Sequence, residues 1–251
     1  MVTRHSRSKS DSKERAIGFV VESGRPDSGE LRPVPTALRR HSGLSDAQAA
    51  SLERVLQTST WEVDHVRQVR QLAVWIFQSL REFHGFGASE QGLLEAGALL
   101  HDVGYPIDPA DHHKVSARII RANLGAPFSR EQVDIIALLA RYHRKGIPRL
   151  DQHRYSRLND RGRRLINWLG GILRVADGLD RSHDSAVGWI STSVVDGRLE
   201  VRVSVRPYPL QGALSVNATD LERLMPHLAA ATEKRTLLER AIGMPVVIRS
   251  V

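Results

Sequence analysis

The chain contains no cysteine, and this absence excludes several kinds of chemistry. Without thiols it can form no disulfide, use no thiolate nucleophile and ligate no metal through sulfur. It also has no apolar run long enough to cross a bilayer, and its N-terminus carries charge without the hydrophobic core of a signal peptide. These absences lead us to expect a cytoplasmic protein whose function rests on nitrogen and oxygen side chains.

The chain is basic, with 36 Lys and Arg against 28 Asp and Glu and a formal net charge of +8. Residues 1–40 hold nine of the basic residues and five of the acidic ones, in a stretch without apolar periodicity. We expect a disordered basic tail there. The positive balance favours a polyanionic partner such as a phosphate chain, a nucleotide or RNA. A solvated charged surface explains the same composition, and both interpretations stay open.

Apolar residues recur at helical spacing over residues 43–184, which predicts a helical domain there. Ser45 and Ser129 each precede a glutamine by three residues, the spacing of a capping box at a helix start. A further helix holds His112 and His113 and is capped by Asp108 or Asp111. The other long helices are expected at about residues 61–84, 90–102, 129–143 and 161–182.

After His183 the pattern changes, and residues 185–251 are predicted to form a small α+β appendage. Its strongest signal is Asp196-Gly197, a hairpin turn between two stretches of alternating polarity. A helix containing Pro226, where we expect a kink or a division, and a closing strand follow. The expected elements in order are strands at 187–195 and 198–206, a helix at 220–242 and a strand at 245–249. The predicted fold class is therefore mainly α, with this hairpin, helix and strand at the end.

Histidine and aspartate side chains border the apolar stripes of five predicted helices. The most informative are His101 and Asp102, which end an apolar run side by side and could share one divalent cation. The others are His65, His112, His113, His143 and Asp177. A single buried histidine is more often a hydrogen-bonded core residue. A whole set favours a common ligand, because buried charges are normally paired or hold a metal.

The order of these residues resembles that of a known group of proteins. The succession His, His-Asp, His, Asp on separate helices is similar to the HD superfamily of metal-dependent phosphohydrolases. Four stretches resemble the C-terminal HD domain of the exopolyphosphatase/guanosine pentaphosphate phosphohydrolase (Ppx/GppA) family. They are Ala98–Gly104, His112–Lys114, Arg141–Lys145 and Ile172–Arg181. The resemblance covers about residues 43–251, and its last stretch is the most specific.

The resemblance implies an HD-type helical bundle that binds one or two divalent ions, which could be Mn, Fe, Zn, Co or Mg. The implied core metal ligands are His65, His101, Asp102 and Asp177. His143, with His113 or His112, would ligate a second metal or hold the substrate phosphate, and we take His113 as the ligand. Asp102 and His143 are the candidate catalytic residues.

Cationic side chains beside these positions are candidates for binding phosphate. Arg174 and Arg181 lie three residues before and four residues after Asp177, so two guanidiniums flank a carboxylate on one predicted helix. Ion pairs with Asp177 and Asp180 would explain both arginines without a ligand. The remaining candidates are Lys114, Arg144 and Lys145.

The resemblance carries one important departure. In that family the polyphosphate-hydrolysing site lies in a pair of actin-like domains, and residues 1–40 are too short to form them. We therefore expect the HD site itself to act on a nucleotide, guanosine penta- or tetraphosphate or short polyphosphate. The alternative is a noncatalytic regulatory or polyphosphate-binding module. The expected partner is a phosphate-containing small molecule or polyphosphate, without membrane or nucleic acid, and a homodimer stays open.

Overall fold

The computed structural model describes residues 17–18, 42–57, 62–205 and 218–250. Within these residues there are ten helices and four strands, so the mainly α fold with a small sheet is confirmed. The helices are α1 (Asp46–Leu56), α2 (Val63–Ser79), α3 (Arg81–His84), α4 (Ala88–Leu100), α5 (His112–Asn123), α6 (Arg130–Tyr142), α7 (His153–Ser156), α8 (Asp160–Gly178), α9 (Ala218–Lys234) and α10 (Thr236–Ile242). The strands are β1 (Ile17–Gly18), β2 (Trp189–Val195), β3 (Arg198–Ser204) and β4 (Val246–Ser250).

The sheet has the strand order β1-β2-β3-β4. The predicted hairpin joins β2 to β3, and both of its turn residues, Asp196 and Gly197, have the positive φ that a two-residue turn of this kind requires. β4 pairs parallel to β3, while β1 pairs antiparallel to β2. Apart from Ile17 and Gly18, the tail expected over residues 1–40 lies outside the described residues.

Two of the predicted helices are interrupted at other places than expected. The helix expected over 61–84, whose first residues lie outside the described part, leaves helical geometry at Leu80 (φ −99°, ψ 11°) and continues as α3. Of the kink or division expected at Pro226, the division is not found, since α9 passes through this residue and ends at Lys234. Pro226 and Glu222, whose carbonyl loses its amide partner, are both exposed. Water can therefore satisfy that carbonyl.

Helix α8 lies at the centre of the molecule. It packs against α2, α4 and α6 as well as against α9 and α10, so it joins the bundle to the C-terminal helices. The interior glycines Gly171 and Gly178 permit this contact. A Cβ on Gly171 would lie 2.7 Å from the backbone of Leu238, and one on Gly178 would lie 2.5 Å from that of Ala231. Within the described residues, no helix combines the length and apolarity needed to cross a membrane.

Replacing Gly171 by alanine is expected to lower the free energy of unfolding by about 1–3 kcal/mol, because the backbone of α10 would have to move away. Gly170→Ala is the matched control, since its Cβ would meet the ends of two flexible side chains rather than backbone, Leu237 at 3.2 Å and Leu139 at 3.8 Å. Urea unfolding of both variants measures the difference. Equal midpoints would contradict the tight contact between α8 and α10.

His84 is a buried histidine with a structural role. Its Nε2 donates to the carbonyl of Phe77 at 2.8 Å, and its Nδ1 accepts from the amide of Phe86 at 2.9 Å. This pattern requires the neutral ring, since a protonated Nδ1 cannot accept. Burial also lowers the pKa of His84 below its usual value of 6.5.

We therefore expect His84 to make stability depend on pH. The unfolded chain binds a proton at His84 near pH 6.5, while the folded chain does not. The neutral His84 ring therefore stabilises the fold fully above about pH 6.5. This stabilisation is lost as the pH falls below that value. At pH 7.5 the wild type should have a free energy of unfolding about 1–3 kcal/mol higher than that of His84→Gln. Urea titrations should show this difference shrinking toward pH 5. A difference that grows on acidification would overturn this assignment.

Candidate metal centre

Six buried imidazole and carboxylate side chains meet where the bundle helices end or begin. They are His65 of α2, His101 and Asp102 directly after α4, His112 at the start of α5, His143 directly after α6 and Asp177 in the last turn of α8. Each is at most 8% exposed. The structure thus brings together the four side chains that the resemblance implied as core ligands, and adds two histidines.

Asp102 lies between two of the histidines. Its Oδ1 is 3.2 Å from His112 Nε2 and 3.4 Å from His143 Nε2. The Nδ1 atoms of these rings lie 2.9 and 2.7 Å from the backbone carbonyls of Pro109 and Ala140, to which they donate. In the neutral rings both Nε2 atoms therefore carry lone pairs directed at Asp102. Within the described residues, Asp102 Oδ1 has no hydrogen-bond donor.

His65 and His101 complete the other side of the cluster. His101 donates from Nδ1 to the carbonyl of Ala98 at 2.7 Å, and its Nε2 lies 3.6 Å from Asp102 and 3.9 Å from Asp177. His65 Nε2 is 3.6 Å from Asp177 Oδ1. Neither Nε2 has a hydrogen-bond partner in the part of the chain that the structure describes. Because buried polar atoms are normally satisfied, these atoms fit a cation held between them.

The charges of the cluster follow from burial and from its neighbours. Burial opposes a proton on His65, but the hydrogen bonds and charges of Asp177 and Asp180 outweigh it and raise the pKa of His65 to about 9. A metal that binds at His65 Nε2 must therefore displace a proton from this ring. Burial lowers the pKa of His143 to about 3. Although burial disfavours a charged Asp177, the ammonium of Lys234 holds the pKa of this carboxyl well below its usual value. An ionised Asp177 and a neutral His143 are in the states that a metal ligand requires.

The cation beside Asp177 is a lysine that the sequence analysis did not identify. Lys234 Nζ lies 2.5 Å from Asp177 Oδ2. Arg174, a predicted phosphate-binding residue, is buried and donates to the carbonyls of Tyr142, Lys145 and Lys234. These backbone carbonyls engage Nε and Nη1 of Arg174, and its role in binding phosphate stays a prediction. Arg174 positions the end of α9, and Lys234 supplies the charge at the cluster.

The other predicted phosphate-binding cations lie at or near the surface. Lys114 and Lys145 both pair with Asp111, at 2.7 and 3.2 Å, and together they lower the pKa of its carboxyl to about 2. Arg144 is the nearest to the cluster, with Nη1 3.2 Å from His112 Nδ1. Arg181 is exposed beyond the end of α8. Lys114, Arg144 and Lys145 thus form a basic rim on the His112 side.

The structure brings His112 rather than His113 to the cluster. The two residues are successive on α5 and so differ by about 100° in direction around the helix. His113 is buried with its Nδ1 unpartnered among the described residues, and burial lowers its pKa to about 4. It belongs to none of the groups there whose donor atoms could share one ion. The geometry therefore does not support the choice of His113 as the ligand.

Two residues that contact His65 were also missed. Asp180 is fully buried, and its Oδ2 accepts from His65 Nδ1 at 2.8 Å, which leaves His65 Nε2 for the cluster. His183 stacks on the His65 ring at a centroid distance of 3.8 Å. The position of Asp180, one helical turn after Asp177, was the available signal. No local pattern marks His183.

Comparison with known families agrees with this geometry. The sequence model described as Ppx/GppA phosphatase, domain III, matches residues 48–222. This range is more than half of the chain and includes all six residues of the cluster as well as Asp180. The chain therefore belongs to the Ppx/GppA phosphatase family, and the matched region corresponds to domain III of that family.

Proposed function

We propose that this protein is a metal-dependent phosphohydrolase of the HD type. The observation that carries the proposal is a cluster of buried nitrogen and oxygen atoms that form overlapping groups of three, each close enough to share one ion. Three of these atoms lack hydrogen-bond partners within the described residues. These three are His65 Nε2, His101 Nε2 and Asp102 Oδ1. Membership of a phosphatase family supports the same chemistry. The substrate class is a phosphate ester or anhydride, such as a nucleotide, guanosine penta- or tetraphosphate or short polyphosphate.

The donor set suits one or two divalent cations. The residues that would hold the first are those implied by the resemblance, His65, His101, Asp102 and Asp177; of these, His65, His101 and Asp102 present atoms close enough to share one ion. The second would use Asp102, His112 and His143, which form another such group. Mixed imidazole and carboxylate ligands are typical of Mn, Fe, Co and Zn sites, and Mg is the remaining candidate. When bound, such an ion supplies Lewis acidity that stabilises the charge developing on a phosphoryl group.

The protein's own residues prepare this site. Asp180 and three backbone carbonyls hold the Nδ1 protons of the histidines, so every Nε2 is directed inward. Asp102 Oδ1 and His143 Nε2 lie 3.4 Å apart. A carboxylate of Asp102 that binds a metal through one lone pair keeps others that can take the proton of an attacking water, whereas His143 can act as this base when its Nε2 holds no metal. Lys234 balances the charge of Asp177, and Arg144 with the basic rim is placed to bind substrate phosphate.

Chelation tests the proposal directly. Elemental analysis of the purified protein should find at least one divalent ion per chain. Phosphate release from a panel of nucleotides, alarmones and short polyphosphates should be measured alongside. We expect release from at least one substrate to disappear on chelation and to return when the metal is restored. Tight polyphosphate binding that survives chelation, with no turnover of any substrate, would instead support the noncatalytic module.

A further inference from the structure

We propose a separate divalent-cation site, formed by Asp180, Asp184 and His227. It lies outside the six-residue cluster described above, which we call the HD cluster. One oxygen of each carboxylate and one ring nitrogen lie within 4.8 Å of one another. The site joins the loop after α8 to the middle of α9. It is distinct from the phosphohydrolase centre and does not depend on the function proposed for that centre.

The observation that points to a ligand is that His227 is buried and lacks hydrogen-bond partners within the described residues. This side chain is fully buried, and neither of its ring nitrogens has a hydrogen-bond partner within the described residues. Its Nε2 is only 3.2 Å from Asp184 Oδ1, yet the two atoms are not aligned for a hydrogen bond. A nitrogen and an oxygen at this separation that do not point at each other are arranged as two ligands of one ion.

Asp180 supplies the second buried donor. Its Oδ2 binds His65, and its Oδ1 accepts the amide of Ser185 at 2.9 Å. Each carboxylate oxygen has two acceptor positions, so both contacts leave room for a metal ligand bond. Asp180 would thereby connect the second site to the orientation of His65 in the first.

Asp184 opens the site to solvent, since its side chain is 36% exposed. Its Oδ1 also accepts the amide of Ala186 at 3.1 Å, and its Oδ2 pairs with the half-exposed Arg223 at 3.1 Å. An ion can therefore enter from the Asp184 side. Two carboxylates with one imidazole favour Mn²⁺ or Zn²⁺ among the common divalent ions. The guanidinium of Arg223 is the positive charge against which such an ion competes.

Mn²⁺ and Zn²⁺ binding to the full chain, by calorimetry and elemental analysis, tests this site. Asp184→Asn and His227→Ala should each lose one equivalent of metal, while Arg223→Gln should tighten that equivalent several-fold by removing the competing cation. In His101→Ala/Asp102→Ala, which damages the HD cluster, this equivalent should persist.

The result separates the two proposals. Wild-type stoichiometry and affinity in both Asp184→Asn and His227→Ala would overturn the second site and leave the phosphohydrolase centre untouched. Should His227→Ala not fold, the exposed positions Asp184 and Arg223 still decide, because a purely structural ion pair between them predicts no change in metal binding for either variant.

Discussion

Replacing His101 and Asp102 together by alanine is expected to lower phosphate release by at least about 1,000-fold and to remove metal from the HD cluster. The change deletes two of the four core donors and also the carboxylate that faces His112 and His143. Steady-state kcat/KM and elemental analysis on the same preparation measure both effects. Loss of metal together with activity would tie the chemistry to this cluster.

A matched control removes the same two residue types elsewhere. His153 and Asp160 are exposed and lie outside the cluster, so His153→Ala/Asp160→Ala should keep both its metal and its activity. Circular dichroism melting of both proteins shows whether each has folded. If the His101/Asp102 variant folds and turns over substrate as fast as the wild type, the cluster is not the active site.

Replacing Glu95 by alanine is expected to cost about 3–5 kcal/mol of stability, the largest effect we expect outside the cluster. Glu95 is fully buried on α4, and its oxygens accept from the Arg70 guanidinium, the Ser42 hydroxyl, the Gly43 amide and the Gln91 amide. It thus ties the segment just before α1 to α2 and α4. Without it the buried Arg70 keeps its charge and loses its partner.

Urea unfolding measures this cost. Glu95→Gln retains the shape of the side chain and some of its hydrogen bonds. Its loss of unfolding free energy should therefore be smaller than that of Glu95→Ala but greater than zero. Glu222→Ala removes an exposed glutamate from α9 and should change the free energy of unfolding by less than about 0.5 kcal/mol. Equal unfolding midpoints for Glu95→Ala and Glu222→Ala would show that the buried network does not stabilise the protein.

Local signals in the sequence predicted most of the fold. The capping boxes at Ser45 and Ser129 and the turn at Asp196 are each confirmed, because their chemistry involves residues no more than three positions apart. The break at Leu80 and the continuous helix through Pro226 were missed. A helix can continue through a proline where the freed carbonyl reaches water, and that follows from packing rather than from local sequence.

The candidate site divides in the same way. His65, His101, Asp102 and Asp177 were identifiable because each borders an apolar stripe and their order matches a known pattern. The structure places His112 rather than the chosen His113 at the cluster, and local sequence could not decide between them because one residue turns a side chain by about 100°. Lys234 lies 57 residues beyond Asp177 in the chain. Only the packing of α9 on α8 brings the two together, and no pattern within a helix could reveal it.

The position of Lys234 has a consequence for how this protein can be divided. Arg174 holds the carbonyl at the end of α9 while the Lys234 ammonium rests on Asp177, so the last helices help to set the charge of a centre built by the first ones. A truncation after the β-hairpin would keep every proposed ligand of the HD cluster and still leave Asp177 without this counter-ion. A chimera that is meant to keep the centre intact would therefore have to take the helical bundle, which includes α8, and the C-terminal helix α9 from the same protein.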